Sequence, residues 1–357
     1  MNAPRSKAPT AARREHAVHP GTRVVVTGAS AGAGRAIALR FGAAGCRVGL
    51  IARDSERLAQ LRHEIEAAGG AALELRCDVA DAAAVDEARD RVVATWSGID
   101  VWVNAAMATV VAPIAHMRAD EYRRVTEVTY LGVVNGTLAA LHAMRAAGAG
   151  CIVQAGSALA YRAIPLQSAY CAAKFAVRGF TDALRCELHH EGSPIRLSMV
   201  QLPGMNTPQF DWARNKFARR LRPVGTVYNP EVAADAVLRA VESDASELWV
   251  GVSTVKAIVG QMLVPRWLDS LMARTAWEPQ LDDTLEPAHR ADNLLQTVPG
   301  DYGTHGRFVA EENDRALIIE PHRARVALSW ALAAAALLAW GRRRSSPYAR
   351  RGQKVAR

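Results

Sequence analysis

The sequence predicts a doubly wound α/β fold, a parallel sheet covered by helices on both faces. Three observations carry this. Short β-branched runs alternate with longer stretches whose apolar residues recur at helical spacing, which is the signature of βαβ units. A glycine-rich octet stands between the first such run and the first helical stretch. The composition, with 50% apolar and 22% charged residues, 26 Gly and 16 Pro, is that of a folded globular chain. It excludes a disordered, collagenous or polytopic membrane protein. At 357 residues the chain exceeds the roughly 250–300 that one core usually holds, so it is one large domain with appendages, or two domains.

The elements follow in order. Strands are expected at 23–27, 47–52, 72–76, 99–103, 151–155 and 195–201. Between the second and third, Leu58, Leu61, Ile65 and Ala68 mark one helical face. Right-handed crossovers then wind the sheet in both directions. A further helix starts near Pro230, with Asn229 as N-cap and Glu231 beside the positive helix end. It leads to a last strand near 247–250. Beyond about 253 the periodicity weakens: 254–275 reads as amphipathic helix, and 278–322, rich in Pro, Asp, His and Gly, as an irregular wrap or linker. Residues 326–340 are apolar except for Ser329, and Arg342, Arg343 and Arg344 follow. No internal repeat is present.

The net charge of +9 belongs to the tails: 1–20 carry +3 and 342–357 carry +7, leaving −1 for 21–341. A nucleic-acid surface is therefore not expected. The 5 cysteines (Cys46, Cys77, Cys151, Cys171, Cys186) form no C-x-x-C pair. They read as reduced thiols of a cytosolic compartment, with no zinc site. No metal centre is expected, and Asp282, Asp283, His289 and the 301–305 loop read as turns and caps. The first 20 residues lack the apolar core of a secretory signal and read as a disordered basic arm.

Two motifs carry chemistry. In Thr27-Gly28-Ala29-Ser30-Ala31-Gly32-Ala33-Gly34 the glycines let the backbone turn tightly and approach a pyrophosphate at a helix N-terminus; a ligand-free turn is the bland alternative. Tyr170 and Lys174 stand at i and i+4 on a helix, so the phenol and the ammonium share a face, and a nearby cation lowers the phenol pKa. An exposed helical pair is the alternative there. Ser157 lies just beyond the strand 151–155, where its hydroxyl could meet a substrate oxygen.

Together these residues resemble the short-chain dehydrogenase/reductase family over about residues 21–253. The resemblance implies a sheet of order 3-2-1-4-5-6-7 with a nicotinamide dinucleotide across the strand carboxyl ends. It implies Thr27, Gly28, Ser30, Gly32 and Gly34 at the phosphates, Asp78 and Val79 at the adenine, Asn104 after the fourth strand, and Pro203, Gly204 and Thr207 at the nicotinamide. Tyr170 would protonate the carbonyl oxygen in reduction. Lys174 would lower the tyrosine pKa and hold the ribose, and Ser157 would orient the oxygen. Two departures stand out. The family's Asn-Asn-Ala-Gly reads Asn104-Ala105-Ala106-Met107 here, and its catalytic asparagine is replaced by Thr129. A threonine offers no amide carbonyl to hold a relay water. An active enzyme with a modified relay that includes Thr129 is expected.

At the second strand Ala52 fills the position of the acid that binds the adenosine 2′-hydroxyl, and Arg53 suits a 2′-phosphate. Asp54 reads as a cap for the next helix. NADP is expected in preference to NAD. Phe210, Ala213, Phe217 and Leu221, at i, i+3, i+7 and i+11, predict one apolar stripe on a lid helix and hence an apolar small-molecule substrate. Arg214, Lys216, Arg219, Arg220 and Arg222 read as solvated charges beside it.

The expected organisation is a basic arm at 1–20, the catalytic domain at 21–253, an extension at 254–324, an apolar helix at 325–341 and a basic tail at 342–357. A helix over 326–340 would be about 22 Å long, short of the roughly 30 Å hydrocarbon core; membrane association is expected, with a short span and a shallow helix beside anionic headgroups both left open as its mode. Packing on another subunit or on the domain is the alternative. The chain is thus expected to be cytoplasmic, membrane-attached and homo-oligomeric. The rival reading is a cofactor-binding scaffold or sensor at a membrane with little catalysis, motivated by Thr129 and the 104–107 motif.

Overall fold

The computed structural model describes residues 17–300 and 302–322. Most of the basic arm, Asp301, the apolar segment 326–340 and the basic tail lie outside the described residues.

The chain alternates strand and helix as its periodicity predicts: β1 (Arg23–Thr27), α1 (Gly32–Ala43), β2 (Arg47–Ala52), α2 (Ser55–Ala67), β3 (Ala71–Arg76), α3 (Ala82–Trp96) and β4 (Val101–Asn104). The second half continues with α4 (Ala119–Thr126), a π-helical turn (Glu127–Leu131), α5 (Gly132–Ala147), β5 (Gly150–Ser157), α6 (Ser168–His190), β6 (Ile195–Leu202), α7 (Pro230–Val241) and β7 (Glu247–Val250). These strands form a parallel sheet in the order β3-β2-β1-β4-β5-β6-β7, flanked on the β7 edge by a short strand that begins at Ile318. The fourth strand starts two residues later than expected, and β5 runs on to include Ser157.

Strands buried on both faces read as continuous apolar runs, and Val24, Val25 and Val26 of β1 are all fully buried. One face packs Ile37 and Phe41 of α1, Leu58 and Leu61 of α2 and Val237 of α7. The other packs Val85 and Val92 of α3, Met144 of α5 and Leu184 of α6. Asp54 caps α2 through Arg57 N at 3.0 Å, and Asn229 caps α7 through Val232 N at 3.2 Å, both as expected.

The lid departs from expectation. Helix is confined to Gln209–Trp212, and Arg214–Asn215 and Arg219–Leu221 are extended. Asn215 explains the break. Its side chain accepts from Phe217 N at 2.9 Å and donates to Arg219 O at 2.8 Å, a local turn that competes with helix. Strand pairing with Leu281–Leu285 and Val110–Val111 then supplies the backbone partners. Phe210, Ala213, Phe217 and Leu221 nevertheless gather in one cluster, together with Val111, Leu166 and Leu281.

The extension is likewise more integrated than a linker. Residues 254–275 belong to two helices, α8 (Val252–Leu263) and α9 (Pro265–Thr275), parted where Pro265 cannot continue the first. The following segment buries Leu294, Val298 and Phe308. Three of the five cations read as solvated are paired with its acids, Arg214 with Asp292 at 2.8 Å, Arg219 with Glu278 at 2.9 Å and Arg222 with Glu311 at 2.6 Å. Lys216 pairs with Glu121 at 2.6 Å and Arg220 with Asp211 at 3.1 Å. The described residues through Ile318 form one compact unit, so the packing has no break at 253. Among the described residues, no helix is long and apolar enough to cross a membrane.

Candidate active site

The strand carboxyl ends open onto one cavity of about 580 Å³. At its centre lies the turn from β1 into α1. Gly28 adopts φ +70°, and a Cβ there would stand 2.7 Å from Ala106 Cα; one on Gly34 would stand 2.1 Å from Gly28 O. Only glycine fits either position. Helix α1 has no side-chain N-cap and no acid in its first turn, which leaves its positive end suited to a phosphate. Gly28, Ser30, Gly32 and Gly34 line the cavity, and the residues present therefore fit a pyrophosphate.

Ser157 ends β5, with its amide held by Gln201 Oε1 at 2.9 Å and its hydroxyl accepting from Leu159 N at 3.1 Å. The same hydroxyl engages the Tyr170 phenol. One turn along α6, Lys174 is 3% exposed; its Nζ donates to Ala155 O at 2.7 Å and lies 5.6 Å from the centre of the Tyr170 ring. Burial raises the phenol above its ordinary pKa, against the effect of Ser157, and lowers the ammonium to about 8. Burial is the larger influence on the phenol and Ser157 the opposing one, so the expected depression by Lys174 is not what the structure shows, and the phenol holds its proton at neutral pH.

At the adenine end, Asp78 and Val79 line the cavity. The Asp78 carboxylate pairs with Arg124 and accepts from Ala80 N at 3.0 Å. Arg53 also lines it, but its guanidinium donates to Asn293 O at 2.6 Å and to Leu295 O at 3.1 Å. At the other end stand Pro203, Gly204 and Thr207, and beyond them an apolar wall that includes Ile164, Phe210, Leu268, Leu271 and Met272.

Three expected site residues are not in the cavity wall. Thr27 uses its hydroxyl to accept from Ala105 N and Ala106 N at 3.0 and 3.2 Å, so it fixes the neighbouring loop. Asn104 turns into the core, donating to Gln154 Oε1 at 2.9 Å and Thr137 Oγ1 at 3.1 Å and accepting from Trp102 Nε1 at 2.9 Å. Thr129, fully buried in the π-helical turn, accepts from Ala108 N at 2.9 Å and donates to Ala108 O at 3.0 Å. Its hydroxyl is spent on the backbone and positions the loop after β4.

Sequence reading missed Gln201, which orients Ser157 from the adjacent strand, and Arg57. The Arg57 guanidinium donates to Val298 O and Gly300 O and lies over the rings of Trp212 and Tyr302 at 5.1 and 5.3 Å. The register of β5 on β6 pairs Gly156 with Gln201, a contact that alternation alone does not disclose.

Residues 22–216 match the short chain dehydrogenase family. The chain is 29% identical to the oxidoreductase YxnA of Bacillus subtilis over 260 residues, 72% of this chain and 73% of that protein. It is 34% identical to 3beta-hydroxysteroid dehydrogenase 1 of Eggerthella lenta, over 63% of this chain and 88% of that protein. Among solved structures, the alcohol dehydrogenase of Thermococcus sibiricus in complex with 5-hydroxy-NADP superposes with a TM-score of 0.56 at 25% identity, covering 64% of this chain and 95% of that one. With these likenesses, the strand order and the cleft in agreement, the chain belongs to the short-chain dehydrogenase/reductase family, oxidoreductases that act on CH–OH groups with NAD(P).

Proposed function

We propose that the protein interconverts a carbonyl and an alcohol on an apolar small molecule, with NADP(H) as its preferred cofactor. The observation that carries this is a single cavity joining the glycine turn and Arg53, the Ser157–Tyr170–Lys174 group, and the apolar wall of Phe210, Leu268, Leu271 and Met272. A nicotinamide dinucleotide in that cleft supplies or accepts the hydride. Tyr170, protonated at neutral pH by its burial, gives its proton to the carbonyl oxygen. Ser157 holds that oxygen in line with the phenol. Lys174, fixed on Ala155 O, presents its remaining protons beside the phenol and the ribose position. The apolar wall excludes water from the reacting carbon. The hydroxysteroid substrate named for the Eggerthella relative and the NADP analogue named for the Thermococcus structure agree in kind with both parts of this reading.

Arg53 has five N–H groups and gives two of its nitrogens to carbonyls, so donors remain for a 2′-phosphate. The test is titration with NADPH and NADH, followed by a panel of apolar ketones. Arg53→Ala should weaken NADPH about 10–100-fold, the range of a charge-assisted bond, and leave NADH little changed. Equal affinity of the parent for the two cofactors would remove the case for NADP.

A further inference from the structure

We propose that the tip of the α8–α9 hairpin is an interfacial docking surface for an anionic lipid bilayer, and that it sets the apolar end of the cleft beside that bilayer. The substrate class is then an apolar alcohol or ketone dissolved in the membrane. This rests on the reading above, in which the apolar wall receives the substrate.

On α8, Thr254 and Ile258 are buried, Ile258 in a cluster with Val133, Val177 and Trp249. Val252, Lys256, Val259 and Leu263, at i, i+4, i+7 and i+11, form the opposite stripe, with Met262 beside it, and all are exposed. At the turn the chain reads Met262-Leu263-Val264-Pro265-Arg266-Trp267, every residue of it exposed, with Leu263 at 74% and Trp267 at 61%. A Cβ on Gly260 would stand 3.2 Å from Leu268 Cδ1, so the bare backbone there lets the buried Leu268 close the hairpin. Arg162 pins both helices, donating to Gln261 Oε1 at 3.0 Å and to Asp269 Oδ1 at 2.8 Å. The apolar tip is thus held outward on a fixed corner, and a contiguous exposed apolar patch marks an interaction surface.

Charge and position name the occupant. Between 252 and 268 the charged residues are Lys256 and Arg266, with no acid. Asp269, the first acid after them, is paired with Arg162. Exposed aliphatic side chains, a tryptophan and flanking cations are the set that settles at the headgroup boundary of an anionic bilayer. A second copy of the chain fits less well, because across a two-fold axis through the tip Arg266 would face its own copy. Ala257 of α8 and Leu268, Leu271 and Met272 of α9 line the cleft. The surface set on the lipid and the wall that receives the substrate therefore belong to the same two helices. A shallow contact of this size holds a chain only marginally, so the corner fixes orientation, and the apolar 326–340 stretch with its basic flank would be the second attachment that stable binding needs.

The full-length chain is mixed with vesicles of phosphatidylglycerol and phosphatidylcholine in equal parts. The amides of Arg266 and Trp267, in the first turn of α9, have no intrahelical acceptor and exchange quickly in water. Exchange at 262–267 should slow when the vesicles are added. Unchanged exchange would overturn the proposal, and slowing that follows protein concentration without lipid would overturn it in favour of a second copy. Leu263→Gln with Trp267→Gln, both outside the cleft wall, should raise KM for a long-chain methyl ketone carried in those vesicles about 10-fold, the least that burying a leucine side chain is worth. KM for cyclohexanone dissolved in water should not change. A rise for both ketones, or for neither, would overturn the proposal. A parent chain that reduces neither ketone would overturn the catalytic reading and the substrate class with it, while exchange at the tip still decides the docking.

Discussion

Thr129→Val tests whether this threonine acts on the backbone or on a proton path. Valine preserves the shape and removes the hydroxyl that accepts from Ala108 N at 2.9 Å and donates to Ala108 O at 3.0 Å. Thr129 is fully buried and Ala108 is 2% exposed, so water does not replace those partners. Each buried main-chain group left unpaired costs about 1–3 kcal/mol, and the two together about 2–6 kcal/mol. For a domain of this size, at about 2 °C per kcal/mol, that is roughly 4–12 °C in Tm. Ala105, Ala106 and Met107, which line the cleft, sit on the same loop, so NADPH should bind more weakly as well. The assay is urea unfolding of parent and variant beside a cofactor titration. Unchanged stability with lost turnover would refute the argument and return Thr129 to the proton relay.

Tyr170→Phe should lower turnover by about 10²–10⁴, the usual contribution of a positioned acid, while NADPH affinity stays within twofold; normal turnover would remove Tyr170 from the mechanism. Lys174 has a native pKa of about 8 against an ordinary 10.5. Below 8 both native and unfolded chains hold the proton; between the two values only the unfolded chain does, so the parent should gain stability on Lys174→Met as pH rises from 8 to 10.5. Unfolding midpoints that run parallel across that window would contradict the burial argument. The apolar segment 326–340 with its basic flank should carry the full-length chain onto anionic vesicles in a sedimentation assay, whereas a chain ending at Pro321 should remain in the supernatant and still bind NADPH.

What was legible in the sequence is what is local. The glycine octet, the Tyr170–Lys174 pair and the Asn229–Pro230 helix start all act within a turn of themselves, and each stands where its spacing puts it. The side-chain directions of Thr27, Asn104 and Thr129 were not legible, because a motif gives a position and the packing of strand and helix gives the face. The apolar stripe from Phe210 to Leu221 fits helical spacing, yet only Phe210 lies in a helix, a short one, and the rest runs through extended segments. What decided that was the Asn215 turn, which breaks the helix, together with pairing to Leu281–Leu285, some 60 residues onward. The acids that neutralise Arg214, Arg219 and Arg222 were visible in the composition, but nothing local assigns them as partners.

That separation sets an order of events during synthesis. Arg219 precedes Glu278 by 59 residues, Arg214 precedes Asp292 by 78, and Arg222 precedes Glu311 by 89. At about 5–20 residues per second, these cations leave the ribosome roughly 3–18 s before their counter-charges. Until the counter-charges emerge, the nascent chain presents a basic stretch and two phenylalanines, Phe210 and Phe217, without their later partners, at first beside a sheet that still lacks β7. The last described part of the chain to be made is thus the part that quiets this surface. A stalled or prematurely ended transcript would leave an adhesive, positively charged intermediate, the kind of species that chaperones engage and that aggregates when they do not.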